Sequence, residues 1–204
     1  MKILITSGGT REKIDPVRYI GNYSSGKMGA ALAEAFAAHG DVKVISGPAE
    51  VHYKAPMIRV ESAREMLAAC EAELPVDIFV AAAAVADKRP KEFSSDKMKK
   101  ENFSSIELVD NPDILQTIAT SLKRPKLVIG FAAESENHLE NARKKLTKKS
   151  CDLIVLNDIK ALGSDETQVW LVSKNGETKL EKAGKREIAE QIVKHILSLC
   201  HPRA

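Results

Sequence analysis

The sequence predicts a doubly wound, three-layer α/β sheet, mostly parallel, with an antiparallel hairpin near the C-terminus. Strand-like and helix-like segments alternate along most of the 204 residues. Ile78 to Ala84 is a continuous apolar run, as expected of a central parallel strand covered on both faces. Late in the chain, Lys174-Asn175-Gly176 separates two strand-like segments and reads as an Asn-Gly hairpin turn.

Residues 2–6 read as the first strand, broken by Gly8-Gly9. A long polar loop follows, and residues 25–39 read as a helix closed by Gly40 at C′. Residues 42–46 are a strand, and Gly47-Pro48 and Pro56 mark a loop before a short strand over 57–60. Ser62 and Glu65 have capping-box spacing, ahead of a helical stripe at Met66, Leu67, Cys70 and Leu74. Residues 87–105 are polar, rich in Lys and Ser, and too irregular for an element, which predicts a mobile lysine-rich lid at about 88–105. Asn111-Pro112-Asp113 reads as a helix start with Asn111 at N-cap and Pro112 at N1. Residues 126–131 and 152–156 read as strands around a basic helix at 135–149. Residues 168–173 and 178–181 form the hairpin, and a last amphipathic helix carries Ile188, Ile192, Val193, Ile196 and Leu197. No linker or repeat divides the chain, so residues 1–204 are expected to form a single Rossmann-like domain.

A net charge of +3 does not argue for nucleic acid, and no alternation of aromatics with lysines suggests single-strand binding. The three cysteines, Cys70, Cys151 and Cys200, are unpatterned, which fits a reducing compartment and no metal cluster. No apolar run reaches membrane-spanning length, and strand residues begin directly after Met1, so a cytoplasmic protein without membrane contact is expected.

Chemistry concentrates near the start. A strand, a glycine turn, a polar loop and the Ser24-Ser25-Gly26 helix opening make an anion site, because N–H groups at a helix N-terminus favour negative charge. Arg18, Asn22 and Lys27 add side chains suited to oxyanions. Gly21 to Lys27 has the spacing of a P-loop, but Met28 stands where Ser or Thr would hold magnesium. No G-x-G-x-x-G is present. The unusual residues sit where strands should end, beside the expected ligand crevice of an open α/β sheet.

Taken in order, several segments carry a resemblance. They are Asp15-Pro-Val-Arg-Tyr-Ile20, Asn22 with Ser24-Ser-Gly-Lys-Met-Gly29, Ala83-Ala-Val-Ala-Asp87, Lys97-Met-Lys-Lys100, Asn111-Pro-Asp-Ile-Leu115, Gly130-Phe-Ala-Ala-Glu134 and Asn157-Asp158. With these the chain resembles the bacterial phosphopantothenoylcysteine synthetase family of coenzyme A biosynthesis. Gly21, in place of a serine, and Lys88, in place of an aromatic, depart from the family pattern.

The resemblance implies a two-step ligation. CTP and 4′-phosphopantothenate give an acyl-cytidylate and pyrophosphate, and L-cysteine then gives the amide and CMP. Mg²⁺ is implied mainly on the nucleotide phosphates, with no protein metal site, and the family implies a homodimer. By the same resemblance Ala81, Ala82, Ala83, Asp87, Asn111, Pro112, Asp113, Ile114, Phe131, Lys145 and Lys149 line the nucleotide site. Lys97 closes over the triphosphate and Arg18, Asn22 and Ala84 hold the acyl substrate, with Asn22 and Lys97 as the catalytic residues. Two rivals are weaker. A short-chain-type reductase would need a Tyr-x-x-x-Lys pair, which Tyr19, Tyr23 and Tyr53 do not form, and a non-catalytic nucleotide-binding regulator has no use for a lysine lid.

Overall fold

The structure is a computed structural model and describes residues 1–102, 104–134, 138–158 and 166–200. In chain order the elements are β1 (Lys2–Ser7), β2 (Arg11–Lys13), β3 (Tyr19–Gly21), α1 (Lys27–Phe36), β4 (Asp41–Ser46), β5 (Met57–Arg59), α2 (Ala63–Ala72), β6 (Ile78–Ala81), β7 (Lys88–Pro90), β8 (Leu108–Asp110), α3 (Ile114–Ala119), β9 (Leu127–Glu134), α4 (His138–Lys148), β10 (Leu153–Asp158), β11 (Glu166–Ser173), β12 (Gly176–Gly184) and α5 (Lys185–Cys200).

Among the described residues an eight-stranded sheet runs β12-β11-β10-β9-β6-β1-β4-β5. Every pairing from β5 to β10 is parallel, and β10–β11 and β11–β12 are antiparallel. The expected three-layer sheet with its late hairpin is therefore present. Side chains alternate between faces, so the apolar strands feed two cores. Ile3, Ile5, Val44 and Val80 pack with Leu32 and Phe36 of α1 and Ile188, Ile192 and Ile196 of α5. Leu4, Ile45, Phe79 and Val128 pack with Met66 and Cys70 of α2, Ile118 of α3 and Leu146 of α4 on the opposite face.

Several boundaries differ from the sequence reading for identifiable reasons. Helix α1 starts at Lys27, because Gly26 adopts φ 75° as its N-cap, and it ends at Phe36. Gly40 is not in the left-handed region. A Cβ there would lie 2.2 Å from the Met1 carbonyl oxygen, so close approach fixes the glycine. Asn111 is not the N-cap of α3. Asp113 is, with its side chain accepting from Gln116 N–H, and Pro112 lies just outside the helix. The apolar run from Ile78 leaves the sheet after Ala81, although Ala84 pairs again with Gly9 through an isolated bridge.

The hairpin turn is formed by Lys174 and Asn175, with Gly176 paired to Ser173 at φ 134°. The polar loop after Gly9 contains the small antiparallel pair β2–β3, and β7, within the irregular segment 87–105, pairs antiparallel with β8 just beyond it. Residues 135–137 of the expected basic helix and residue 103 of the expected lid lie outside the described residues.

Candidate active site

The strand order places a crevice where the chemistry was expected. From β1 the chain passes outward through β4 and β5, then returns to β6 on the other side of β1. The carboxyl ends of β1 and β6 are thus a topological switch point, where open α/β sheets bind ligands. Residues 6–10 and 82–86 are sewn together across it. Ala84 N–H donates to the Gly8 carbonyl at 2.8 Å, and Thr10 N–H donates to the Ala84 carbonyl at 3.3 Å. The Thr10 hydroxyl accepts from Ala86 N–H at 2.9 Å and the Thr6 hydroxyl from Ala83 N–H at 3.3 Å. These threonines were not singled out in the sequence, since hydroxyls bonded to distant backbone leave no local pattern.

Small residues are required where the loops converge. A Cβ on Gly9 would lie 2.8 Å from the Asn22 carbonyl oxygen, and one on Gly47 would lie 2.1 Å from the Gly9 carbonyl oxygen. Helix α1 also approaches β1 closely, because a Cβ on Gly29 would lie 2.0 Å from Ser7 Oγ. Ala81, Ala82, Ala83 and Ala84 are half-buried along the crevice floor.

Asn22 belongs to this junction. It is exposed, and its Nδ2 donates to the Val85 carbonyl at 3.0 Å. On the other side, Asn111 Nδ2 donates to the Ala86 carbonyl at 2.8 Å, and its N–H donates to the Asp87 carbonyl at 2.9 Å. Asn111 therefore braces the segment leading to the exposed carboxylate of Asp87. Beyond β9, Lys145 Nζ donates to the half-buried Phe131's carbonyl at 2.8 Å, and Lys149 forms an ion pair with Asp113. Asp113 thus serves α3 and Lys149 together. Asn22 and Asn111 thus hold the 85–87 segment from either side, and Lys145 and Lys149 reach Phe131 of β9 and Asp113 at the start of α3.

Two other expected residues sit elsewhere in this arrangement. Arg18 pairs with Asp15 at 2.7 Å and donates Nη2 to the Met98 carbonyl at 2.7 Å. Lys97 is exposed on the segment so held. Asp15 was not singled out as functional, although its Asx turn, with Oδ1 accepting from Val17 and Arg18 N–H groups at 2.8 Å, is foreshadowed by Asp15-Pro16. Its burial would raise the carboxyl pKa. The N–H groups of Val17, Met98 and Arg18 and the Arg18 guanidinium outweigh that and hold it down at about 2. These bonds are intact above the ordinary carboxylate range and are lost only as pH falls toward about 2.

A cavity of about 370 Å³ lies next to the crevice, past the ends of β4 and β5. Ser24, Gly47 and Tyr53 line it, with Arg11 and Arg59 supplying positive charge and Glu50 one carboxylate. Arg11 also stacks on the Tyr19 ring at 4.7 Å. Burial pushes the Cys70 and Cys151 thiols up to about 12, so neither supplies a thiolate near neutral pH. Among the described residues no three His, Cys, Asp or Glu side chains gather to hold a metal ion, and no helix is long and apolar enough to cross a membrane.

Fold and site together define a Rossmann-like domain with a crevice at the switch point of its sheet. The chain belongs to the family described as the DNA/pantothenate metabolism flavoprotein C-terminal domain, whose model matches residues 1–199. It is 42% identical over 207 residues to the coenzyme A biosynthesis bifunctional protein CoaBC of Haemophilus influenzae, covering 97% of this chain and 51% of that protein. The CoaBC of Vibrio cholerae is 41% identical over 205 residues, covering 94% of this chain and 51% of that protein. The chain spans about half the length of the curated relatives it matches.

Among solved structures, the C-terminal domain of a CoaBC superposes with a TM-score of 0.85 at 39% identity, covering 99% of this chain and 96% of that one. A DNA/pantothenate metabolism flavoprotein from Streptococcus pneumoniae gives 0.83 at 25% identity, covering 98% and 99%. A Cab2 variant complexed with phosphopantothenate-cysteine shares the fold, at TM-score 0.80 and 19% identity over 100% of this chain and 89% of that one.

Proposed function

We propose that this domain is a phosphopantothenate–cysteine ligase that activates its acyl substrate with CTP. The observation that carries the reading is the switch-point crevice, where Asn22 and the bracing residue Asn111 bond to the Val85 and Ala86 carbonyls in a chain that matches the C-terminal half of CoaBC along nearly its whole length. A nucleotide would lie along the ends of β6 and β9, over Ala81, Ala82 and Ala83. Asp87, Pro112, Asp113, Ile114 and Phe131 would border it. Lys145 and Lys149 would exchange their present partners for phosphate oxygens, and Lys97 would come over the triphosphate.

The acyl substrate would lie beside Ala84, Arg18 and Asn22. Its carboxylate attacks the α-phosphorus, and pyrophosphate leaves with the electron pair of the broken P–O bond. Lysine cations offset the charge that brings a carboxylate to a triphosphate. Mg²⁺ held on the nucleotide phosphates and water would neutralise charge there. In the second step the amine of L-cysteine attacks the acyl carbon. Asn22 N–H steadies the oxygen as charge builds on it, and CMP departs.

The two small antiparallel pairs suggest the assembly. Val17, Tyr19, Tyr23, Phe93 and Leu108 are large apolar residues left exposed on or beside β2–β3 and β7–β8. Their grouping favours a homodimer joined through this side of the molecule. A cytoplasmic location goes with this metabolism and with the buried free thiols.

CTP is expected to outperform ATP. The half-buried alanine floor leaves backbone groups to read a pyrimidine edge, and it sets a shallow site for the base. Steady-state pyrophosphate release with 4′-phosphopantothenate, L-cysteine and matched CTP or ATP tests this. Equal or faster turnover with ATP overturns the nucleotide assignment.

A further inference from the structure

Residues 14–18 form a closed turn. Ile14 and Asp15 N–H groups both donate to the Arg18 carbonyl, at 2.9 and 3.3 Å. The Asp15 side chain inside it is fully buried, and its two oxygens divide the work. Oδ1 accepts from the Val17 and Arg18 N–H groups and keeps the turn closed. Oδ2 accepts from Arg18 Nε at 3.0 Å and, 83 residues further along the chain, from Met98 N–H at 3.2 Å. Arg18 Nη2 completes the pattern by donating to the Met98 carbonyl.

Both peptide groups of Met98 are therefore gripped by one ion pair. Four residues earlier, Ser94 N–H donates to the Ile14 carbonyl at 3.0 Å, so the lid meets the same turn twice. Lys97 lies directly before the gripped residue, with an exposed side chain. An exposed lysine on a polar segment has no packing of its own to place it, so the backbone beside it must do so.

We propose that Asp15 is a positioning residue of the ligase reaction, which sets the place of Lys97 over the nucleotide by clamping Met98 jointly with Arg18. The inference rests on the ligase reading for its catalytic consequence, while the clamp itself stands on the geometry. It also gives Arg18 a second duty besides contact with the acyl substrate.

Asp15→Asn separates the two functions of the carboxylate. The amide oxygen can still accept from Val17 and Arg18 and preserve the turn. Its NH₂ then faces the N–H groups of Met98 and Arg18, where an acceptor is needed. Trypsin cleavage at Lys97, Lys99 and Lys100 reads the lid without any substrate. Asp15→Asn is expected to speed that cleavage by about tenfold or more, since the lid opens locally once its tether is lost. With CTP, 4′-phosphopantothenate and L-cysteine, kcat for pyrophosphate release should fall toward that of Lys97→Gln with little change in the KM for CTP. Combined with Lys97→Gln, Asp15→Asn should add no more than about a further twofold, because both act on one element.

Unchanged cleavage, or losses that multiply in the double variant, would overturn the proposal. Should Asp15→Asn fail to fold, Met98→Pro removes the clamped N–H while also fixing φ at 98 and restricting Lys97, with Met98→Ala as the control that keeps the N–H. Faster cleavage at Lys99 and Lys100 in the proline variant alone supports the clamp, and equal rates in both overturn it. A wild-type protein without ligase activity would refute the functional reading, and the cleavage comparison would still decide the clamp.

Discussion

Replacing Asn22 with Asp is expected to lower amide formation by about 10²-fold or more, the usual cost of losing one oxyanion donor. The Asn22 amide has two N–H groups. One donates to the Val85 carbonyl in the structure, which leaves the other to meet the acyl oxygen. Aspartate keeps the size but turns this donor into an anion, facing a backbone carbonyl on one side and an anionic substrate on the other. Because Asn22 is exposed, the variant should fold, losing about 1 kcal/mol with the single hydrogen bond. Quenched reactions of Asn22→Asp analysed by mass spectrometry should show acyl-cytidylate accumulating if activation survives. Wild-type rates of product formation would mean that Asn22 only holds the Val85 loop.

Lys97→Gln should slow pyrophosphate release by about 10- to 10²-fold, the kinetic equivalent of a hydrogen bond to a charged group. Stability should change by about 0.5 kcal/mol or less, because the side chain is exposed. That contrast separates a phosphate contact from a packing role. Single-turnover measurement of pyrophosphate release, beside a thermal melt, checks both halves. Near-normal release would leave Lys97 as a solvated charge on the lid.

What could be read from the sequence divides by the range of the interactions. The Ser62–Glu65 capping box forms as its spacing predicts, because both partners lie within one helical turn. The central strands and final helix follow from hydrophobic periodicity, which records burial directly. Asn111 shows the opposite case. Asn111 and Asp113 are two residues apart and both are good caps, and the choice fell to Asp113 because Asn111 is drawn to the Ala86 carbonyl. No local rule contains that tertiary contact.

Strands β2, β3, β7 and β8 are only three residues each, too short for an alternation to register. In the site, glycines and alanines at the strand ends marked where the crevice would be. The partners of Lys145, Lys149 and Arg18 depended on contacts 14, 36 and 80 residues away.

The two-step chemistry is most directly tested by withholding L-cysteine. With CTP and 4′-phosphopantothenate alone, the protein should release pyrophosphate in a burst no larger than its concentration of sites. Mass spectrometry should find 4′-phosphopantothenoyl-cytidylate in matching amount. Adding L-cysteine should then convert it to the amide with release of CMP. No pyrophosphate and no acyl-cytidylate before cysteine is added, with amide formed only once all three substrates are present, would contradict the account.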